Sequence, residues 1–507
     1  MDKVALIGLD LGTTSCKVVC YTHEGLQIAE ASSSYELSHP VSGWAELDPD
    51  HVLAAVCEVL ASVEKPLTMF DRLALAVSAQ GEAFVLTDAN GHALTRIPVS
   101  MDMRGSALIS EFKDRQDVRD ASGQSGHGLT SLTSFSKLLW FRQNETALLE
   151  RASRFLCVGE FFMAQLGLDP VMDHSMAARS GMFDFDQQVW ATGLIELAGL
   201  PSKMLPPLAP SGTPVGVVPA SRMARFGLAR DVLISTGGHD QACGVLGAGA
   251  SNLGTGLLST GTTEAVALAC SKPLPQVGHM NIFPYPHVVA DMSILLFGTQ
   301  NGGRVLDWLS VLLGNPDKAA ILDELPRLPS QIVSIPHFAG SGSIVNDDSA
   351  HAIVHGMGYE TDQGAFALAV LESITMEQAE GLVRLKEAGI DITELRAVGG
   401  STRSDRWMQI KADVLNRPVC RLAQPDTACT GSAILAGIGA GVLRTVTGIE
   451  KLFAKPGRTF VPRPEFAQIY SMKWDLACAI YAQASELQHR FEDLKAAVTR
   501  LHEIRKG

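Results

Sequence analysis

Leu9-Asp-Leu-Gly-Thr-Thr14 and Leu258-Ser-Thr-Gly-Thr-Thr263 are two versions of one stretch, set about half a chain apart. Each closes an apolar run, turns on Gly-Thr-Thr and enters a second β-prone run, Cys16 to Tyr21 in the first and Ala265 to Ala269 in the second. Such a turn offers backbone N–H groups and hydroxyls to an anion, although the same residues also make a plain turn. The echo carries more than either copy. It predicts a duplicated architecture with a cleft between the halves, where two anion-binding turns could clamp a polyphosphate from both sides. Asp10, at the first strand's end, is placed to hold a hydrated Mg²⁺, a cation that keeps its waters and takes few carboxylates. Lys17 could reach a phosphate.

Between the two copies lies Asp231-Val-Leu-Ile-Ser-Thr-Gly-Gly-His-Asp-Gln-Ala-Cys-Gly-Val-Leu-Gly-Ala-Gly-Ala250. Val232 to Ser235 reads as a short buried strand broken by Gly237 and Gly238, with Asp240 opening a helix of small and apolar residues. A helix N-terminus favours an ionised carboxylate, and the glycines would leave open space before it. That suits a base facing a substrate hydroxyl. It equally suits an N-cap, a position Asp often fills.

The chain has 507 residues, which is too long for one core and predicts two domains. Its 41 Lys and Arg against 54 Asp and Glu give a formal net charge of −13. No basic field covers it, which argues against a general nucleic-acid binder. Nine cysteines are scattered without a Cys-x-x-Cys pair, the pattern of reduced thiols in a cytoplasmic protein. No run approaches the roughly 20 apolar residues of a membrane span.

In chain order, Gly43-Trp-Ala-Glu-Leu-Asp-Pro49 leads into a helix from Asp50 to Val63, and Leu73 to Val77 is a buried strand. That strand ends in Ser78-Ala-Gln-Gly-Glu82, polar groups at the carboxyl end where α/β proteins bind ligands. Asp102 and Arg104 sit at another strand end. Residues 106–200 read as mostly helical, including a helix from Phe155 to Leu166, with a polar loop from Asp173 to Asp184. Leu395 to Val398 is a strand, Gly399 to Ser404 a loop against which a flat ring could lie, and Asp405 to Leu415 a helix stopped by Asn416-Arg-Pro418. The small-residue helix from Gly431 to Gly441 is suited to packing beneath that loop. Finally, Ile480, Ala484, Leu487, Phe491, Leu494, Val498 and Leu501 recur at steps of four and three, one apolar seam on a helix. It is expected to pack on its own domain; pairing with a second copy, a homodimer, is the alternative.

The order Asp10-x-Gly-Thr-Thr, Gly43-Trp-Ala-Glu-x-Asp-Pro49, Gly237-Gly-His-Asp240, Ser259-Thr-Gly-Thr-Thr263 and Gly399-Gly-Ser401 resembles the FGGY carbohydrate kinases, over residues 4 to about 445. The resemblance implies an α/β chain of two actin-like ATPase (ribonuclease H-like) domains, 1–245 and 246–507, about a central cleft. It implies ATP-dependent phosphorylation of a small sugar or polyol with ATP and Mg²⁺. Matched position by position, Asp10 resembles the Mg²⁺-associated carboxylate. Thr13, Thr14 and Lys17 resemble the first phosphate motif, and Thr260, Gly261 and Thr262 the second. Gly399, Gly400 and Ser404 resemble the adenosine motif, and Asp240 the catalytic base. Gln80, Glu82, Asp102, Arg104 and Gln241 fall where the family contacts its substrate. Ser100 and Ala365 depart from the pattern, as does the loop Gly340 to Asp348. An Arg normally precedes the acid at 82; Gly81 stands there instead and is expected to leave room for a substrate larger than glycerol. The alternative from another class is an actin-like nucleotide sensor without a substrate.

Overall fold

The computed structural model describes residues 3–112, 115, 118, 130–271, 277–347, 350–446 and 448–506; Asp348 of the 340–348 loop lies outside them. The first sheet has six strands. β1 (Val4–Leu11), β2 (Ser15–Thr22), β3 (Gln27–Ser34), β4 (Arg72–Ala79), β5 (Pro214–Val218) and β6 (Val232–His239) lie in the order β5-β6-β4-β1-β2-β3. β1, β4 and β6 run parallel, and the others are antiparallel to their neighbours. β1 is buried on nearly every residue, as an interior parallel strand covered on both faces must be. Helix α1 (Pro49–Leu67) covers part of it. Asp48 caps its start by accepting from Asp50 N at 2.9 Å, Pro49 fills the first turn, and Val52, Val56, Val59, Leu60 and Val63 form its buried face at helical spacing.

The second sheet repeats the plan. β7 (Thr255–Thr260), β8 (Glu264–Ser271), β9 (Tyr285–Pro286), β10 (Met292–Thr299), β11 (Glu394–Gly399), β12 (Val419–Leu422) and β13 (Pro456–Phe460) run β9-β10-β8-β7-β11-β12-β13. Set side by side, β3-β2-β1-β4-β6-β5 and β10-β8-β7-β11-β12-β13 have the same order and strand directions, including the antiparallel edge strand, which precedes its neighbour in the first half and follows it in the second. Only β9 is extra. The two Gly-Thr-Thr turns join β1 to β2 and β7 to β8, equivalent places in the two sheets.

Helix α2 (His174–Arg179) occupies the stretch read as a polar loop, capped by Asp173. The helix expected from Phe155 starts later: Arg154–Cys157 is a strand pairing with Phe84–Thr87, and the helix runs Val158–Gln165. After β6 comes α3 (Asp240–Gly247), and after β12 comes α6 (Thr427–Gly439). α4 (Gln363–Glu387) and α5 (Asp405–Leu415) flank the second sheet, and α7 (Pro464–Lys506) ends the chain.

α6 does not lie beneath the Gly399 loop; it packs on α3 and the first sheet. A Cβ at Gly431 would sit 2.0 Å from the Cys243 carbonyl oxygen, and one at Gly8 would sit 1.8 Å from that of Cys429. The glycines of β6 leave no open space either. The strand runs on to His239 through a shifted register, and a Cβ at Gly237 would be 1.7 Å from the Val77 carbonyl oxygen. Gly237 is glycine because two backbones touch there, and at Gly238 a Cβ would meet the Val288 side chain at 2.3 Å. The C-terminal seam divides: Ile480 packs on the body of the second half, whereas Leu487, Phe491, Leu494, Val498 and Leu501 are exposed, contrary to the expectation that the seam is covered by its own domain. No helix among the described residues is long and apolar enough to cross a membrane.

Candidate active site

The strand ends of the first sheet bring Asp10 and Asp240 to one cavity of about 190 Å³, which Lys17, Gln241, Ser259 and Asp426 also line. Asp240 is the first residue of α3, and the N-cap is His239, so the N-cap reading of Asp240 does not hold. Its Oδ1 lies 3.1 Å from His239 Nε2. The carboxyl is deep in the protein but keeps 28% of its side chain open to the cleft. Burial, with the Asp10 and Glu82 carboxylates near, pushes its pKa up to about 8. Asp10 accepts from Ser78 Oγ at 2.9 Å, and burial raises it to about 6 against that hydrogen bond and the Lys17 charge. Lys17 Nζ reaches Asp426 Oδ1 at 2.6 Å, which ties the first hairpin to the residue preceding α6. Gln241 accepts from Ser259 Oγ at 3.4 Å, a link to the second hairpin.

On the substrate side the predicted residues separate. Glu82 reaches the cleft in a backbone conformation with φ +64°, a strained one for a non-glycine and common at functional sites. Ser134 Oγ holds its carbonyl at 2.7 Å, and Arg179 Nη2 pairs with its carboxylate. Arg179 lies over the Tyr285 ring, and Tyr285 Oη meets His239 Nδ1 at 3.0 Å. Gly81 leaves no room for a larger substrate: a Cβ there would be 2.9 Å from the His239 ring and 3.2 Å from Arg179 Cγ. Gln80 turns to the phosphate hairpin, accepting from Thr13 Oγ1 and donating to Gly12 O, both at 3.1 Å. Asp102 is wholly buried, and Ala45 N, Arg104 N and the Arg104 guanidinium occupy both its oxygens. Arg104 is held in turn by Glu46 and the face of Trp44. Lys137, equally buried, donates to the carbonyls of Ser100, Ser131 and Leu132. Asp102 and Arg104 thus form a buried ion network behind the pocket and do not line it.

On the nucleotide side, Gly261, Thr262, Gly400 and Ser404 line an open cavity of about 770 Å³ with Arg403 and Trp407. Thr260 is buried beneath, its Oγ1 donating to Val398 O at 2.7 Å; Gly399 is exposed, and a Cβ on it would be 2.2 Å from Thr260 O. Ser404 caps α5, accepting from Trp407 N. Thr14 stays exposed on the first turn, and Tyr35 N donates to its carbonyl. Below the second turn Glu264 is fully buried, paired with Lys411 at 2.5 Å and accepting from Gln378 at 2.8 Å.

Arg179, Asp426 and Lys411 escape a reading of the sequence. Arg179 ends a six-residue helix, Asp426 sits in a Pro-Asp turn like any other, and Lys411 looks like the polar side of an amphipathic helix.

Two sheets of one strand order, each offering a Gly-Thr-Thr turn to a shared cleft, define a two-domain actin-like ATPase fold. The N-terminal-domain model of the FGGY family of carbohydrate kinases matches residues 5–247, and the C-terminal-domain model residues 256–440. A xylulose kinase of Staphylococcus epidermidis is 26% identical over 496 residues, covering 96% of this chain and 98% of that protein. An L-fuculokinase of Salmonella typhi is 25% identical over 452 residues, covering 87% of this chain and 93% of that protein. The crystal structure of a xylulose kinase from Rhodospirillum rubrum superposes with a TM-score of 0.85 at 26% identity, over 96% of this chain and all of that one. The chain belongs to the FGGY family of carbohydrate kinases and is an ATP-dependent kinase of a sugar or polyol.

Proposed function

We propose that Asp240 is the general base and that the substrate is a neutral, open-chain ketose or polyol rather than an aldonate. The supporting observation is the shared cavity: Asp240 opens into the same space as Asp10, Lys17 and Gln241. Among the described residues on the sugar side, Arg179 is already neutralised by Glu82 and Arg104 by Asp102 and Glu46, while Lys137 is buried against three backbone carbonyls, so no exposed positive charge awaits a carboxylate. The xylulose kinases among the relatives support a five-carbon ketose as the first substrate to test.

The phosphate-binding groups would be the backbone N–H groups of Gly261 and Thr262 and the first turn at Thr13 and Thr14, with Lys17 able to exchange Asp426 for a phosphate oxygen. The residues present also fit Mg²⁺. Burial, with a lesser push from Asp426, holds the Asp10 pKa up, and among the described residues no three His, Cys, Asp or Glu side chains gather into a metal cage. That donor set suits a cation held by one or two carboxylates, its own waters and nucleotide phosphates. Mg²⁺ bound with ATP supplies positive charge that neutralises the phosphate oxygens and draws Asp10 and Asp240 toward their ionised forms. Asp240 then orients the attacking hydroxyl and accepts its proton late in a loose phosphoryl transfer.

The test is ADP production with C3 to C7 polyols, ketoses and aldonates, run on the native protein and on Asp240→Asn. A neutral substrate should be turned over, and kcat of the variant should fall by about 10² to 10⁴-fold with ATP affinity and Tm retained. Near-normal turnover by Asp240→Asn would end the assignment, and an aldonate as the preferred substrate would end the charge argument. The domain division after residue 245 and a homodimer through the exposed seam of α7 are part of the same proposal. The nine unpaired cysteines support a reducing, cytoplasmic setting.

A further inference from the structure

A second cavity, of about 320 Å³, lies away from the cleft between α4, α7 and the strand Val333–Ile335. It shares no residue with the two cavities of the active site. Its walls are apolar and aromatic, from Ile335, Met376, Trp474, Ala477 and Tyr481. Two polar side chains interrupt them. His337 and Glu377 are each only 5% exposed, yet His337 Nδ1 and Glu377 Oε2 have no hydrogen-bond partner. The other Glu377 oxygen is fixed by Gly342 N at 2.5 Å, and the His337 ring stands edge-on to Tyr481 at 4.9 Å. Both groups are therefore held in place with one unused position each. Burial keeps the imidazole neutral, with its pKa down at about 4, and raises the carboxyl to about 7. The cavity's edge reaches solvent beside Cys478 and the Glu380–Arg384 pair.

From this juxtaposition we infer that the cavity is a binding site for a compact, uncharged aromatic molecule bearing one hydroxyl or N–H group. Its ring lies among Met376, Trp474 and Tyr481, and its polar group bridges His337 and Glu377. An ionic ligand is disfavoured because the charged pair at the rim, Glu380 with Arg384, is already satisfied. Buried polar atoms without partners are costly, and a preformed apolar pocket with a few convergent polar groups is the usual form of a small-molecule site.

The test uses p-cresol and toluene as probes of one shape with and without the hydroxyl. Calorimetric titration of the full chain, with ATP and Mg²⁺ saturating so that the cleft is filled, should show p-cresol binding about fivefold tighter than toluene, the worth of one net hydrogen bond. His337→Phe keeps the ring against Tyr481 and should abolish that preference. Ala477→Phe should fill the cavity and abolish binding of both probes. If Ala477→Phe does not fold, the His337→Phe comparison still decides. Absence of binding, equal affinity for both probes in the native protein, or an unchanged preference in His337→Phe would each overturn the inference and leave the two polar atoms to water.

Discussion

Glu82 combines three properties that seldom meet in one residue: a left-handed backbone, near-complete burial and an ion pair with Arg179. Glu82→Gln keeps the shape and removes the charge. It should raise the sugar KM about tenfold or more, the scale of a charged hydrogen bond, with the ATP KM unchanged; steady-state kinetics with each substrate varied in turn checks this. An equal rise in both would move Glu82 out of the pocket. Glu160 is a second informative carboxyl. It is buried with one oxygen unpartnered, and burial, aided by Asp173, raises it to about 8. A folded-state pKa above the unfolded value means the native state holds the extra proton. Stability is therefore greatest below the unfolded carboxyl value and declines as pH climbs toward 8. Glu160→Gln is neutral throughout, so its Tm should decline less than the native Tm between pH 5 and 8. Parallel melting curves would show it. Neither residue's part was legible in advance to the same degree: Glu82 stands in a polar run at a strand end, whereas Glu160 reads as the polar side of a helix.

At the scale of elements, the parts whose causes are local were readable. Both Gly-Thr-Thr hairpins, the helix from Asp405 to Leu415 and the start of α1 follow from turn and cap residues within a few positions. What the sequence hides is which element meets which. Gly431 of α6 announces a close approach, but the backbone it approaches is that of Cys243, in the other half of the chain. Gly431→Ala should therefore separate α3 from α6 and destabilise by about 3 kcal/mol, the upper end of overpacking costs. Gly278→Ala, where a Cβ meets ordinary contact at 3.8 Å, should be close to neutral. Denaturant titration of the pair checks both. Likewise Lys411 lies under the second phosphate turn with a buried carboxylate as its partner. Lys411→Met should cost roughly 3–5 kcal/mol by leaving Glu264 unpaired, and adding Glu264→Gln should recover much of it. A double-mutant cycle in Tm that showed no recovery would mean the pair is not the source of the loss.

Across the whole molecule, Lys17 and Asp426 tie the first hairpin to the head of α6 beside the cavity that holds Asp10 and Asp240. ATP with substrate should bring the halves closer and exclude water from the transfer. Small-angle scattering should then give a smaller radius of gyration with both ligands than with neither, and an unchanged radius at saturation would count against closure. The repeat of one strand order was legible as a repeat of six residues. The division of labour was not, because Arg179, Tyr285 and Glu82 come together from three distant parts of the chain.

The crossing of α3 and α6 also sets what kind of motion is available. Gly247 would place a Cβ 1.9 Å from Thr427 O, just as Gly431 would against Cys243 O. Main chain bears directly on main chain, with no side chains between to deform. Such a contact works as a bearing: sliding drives one backbone into the other, while rotation about the point of contact costs little. Closure on the two ligands is therefore expected to follow one mechanical coordinate, the angle between the two sheets.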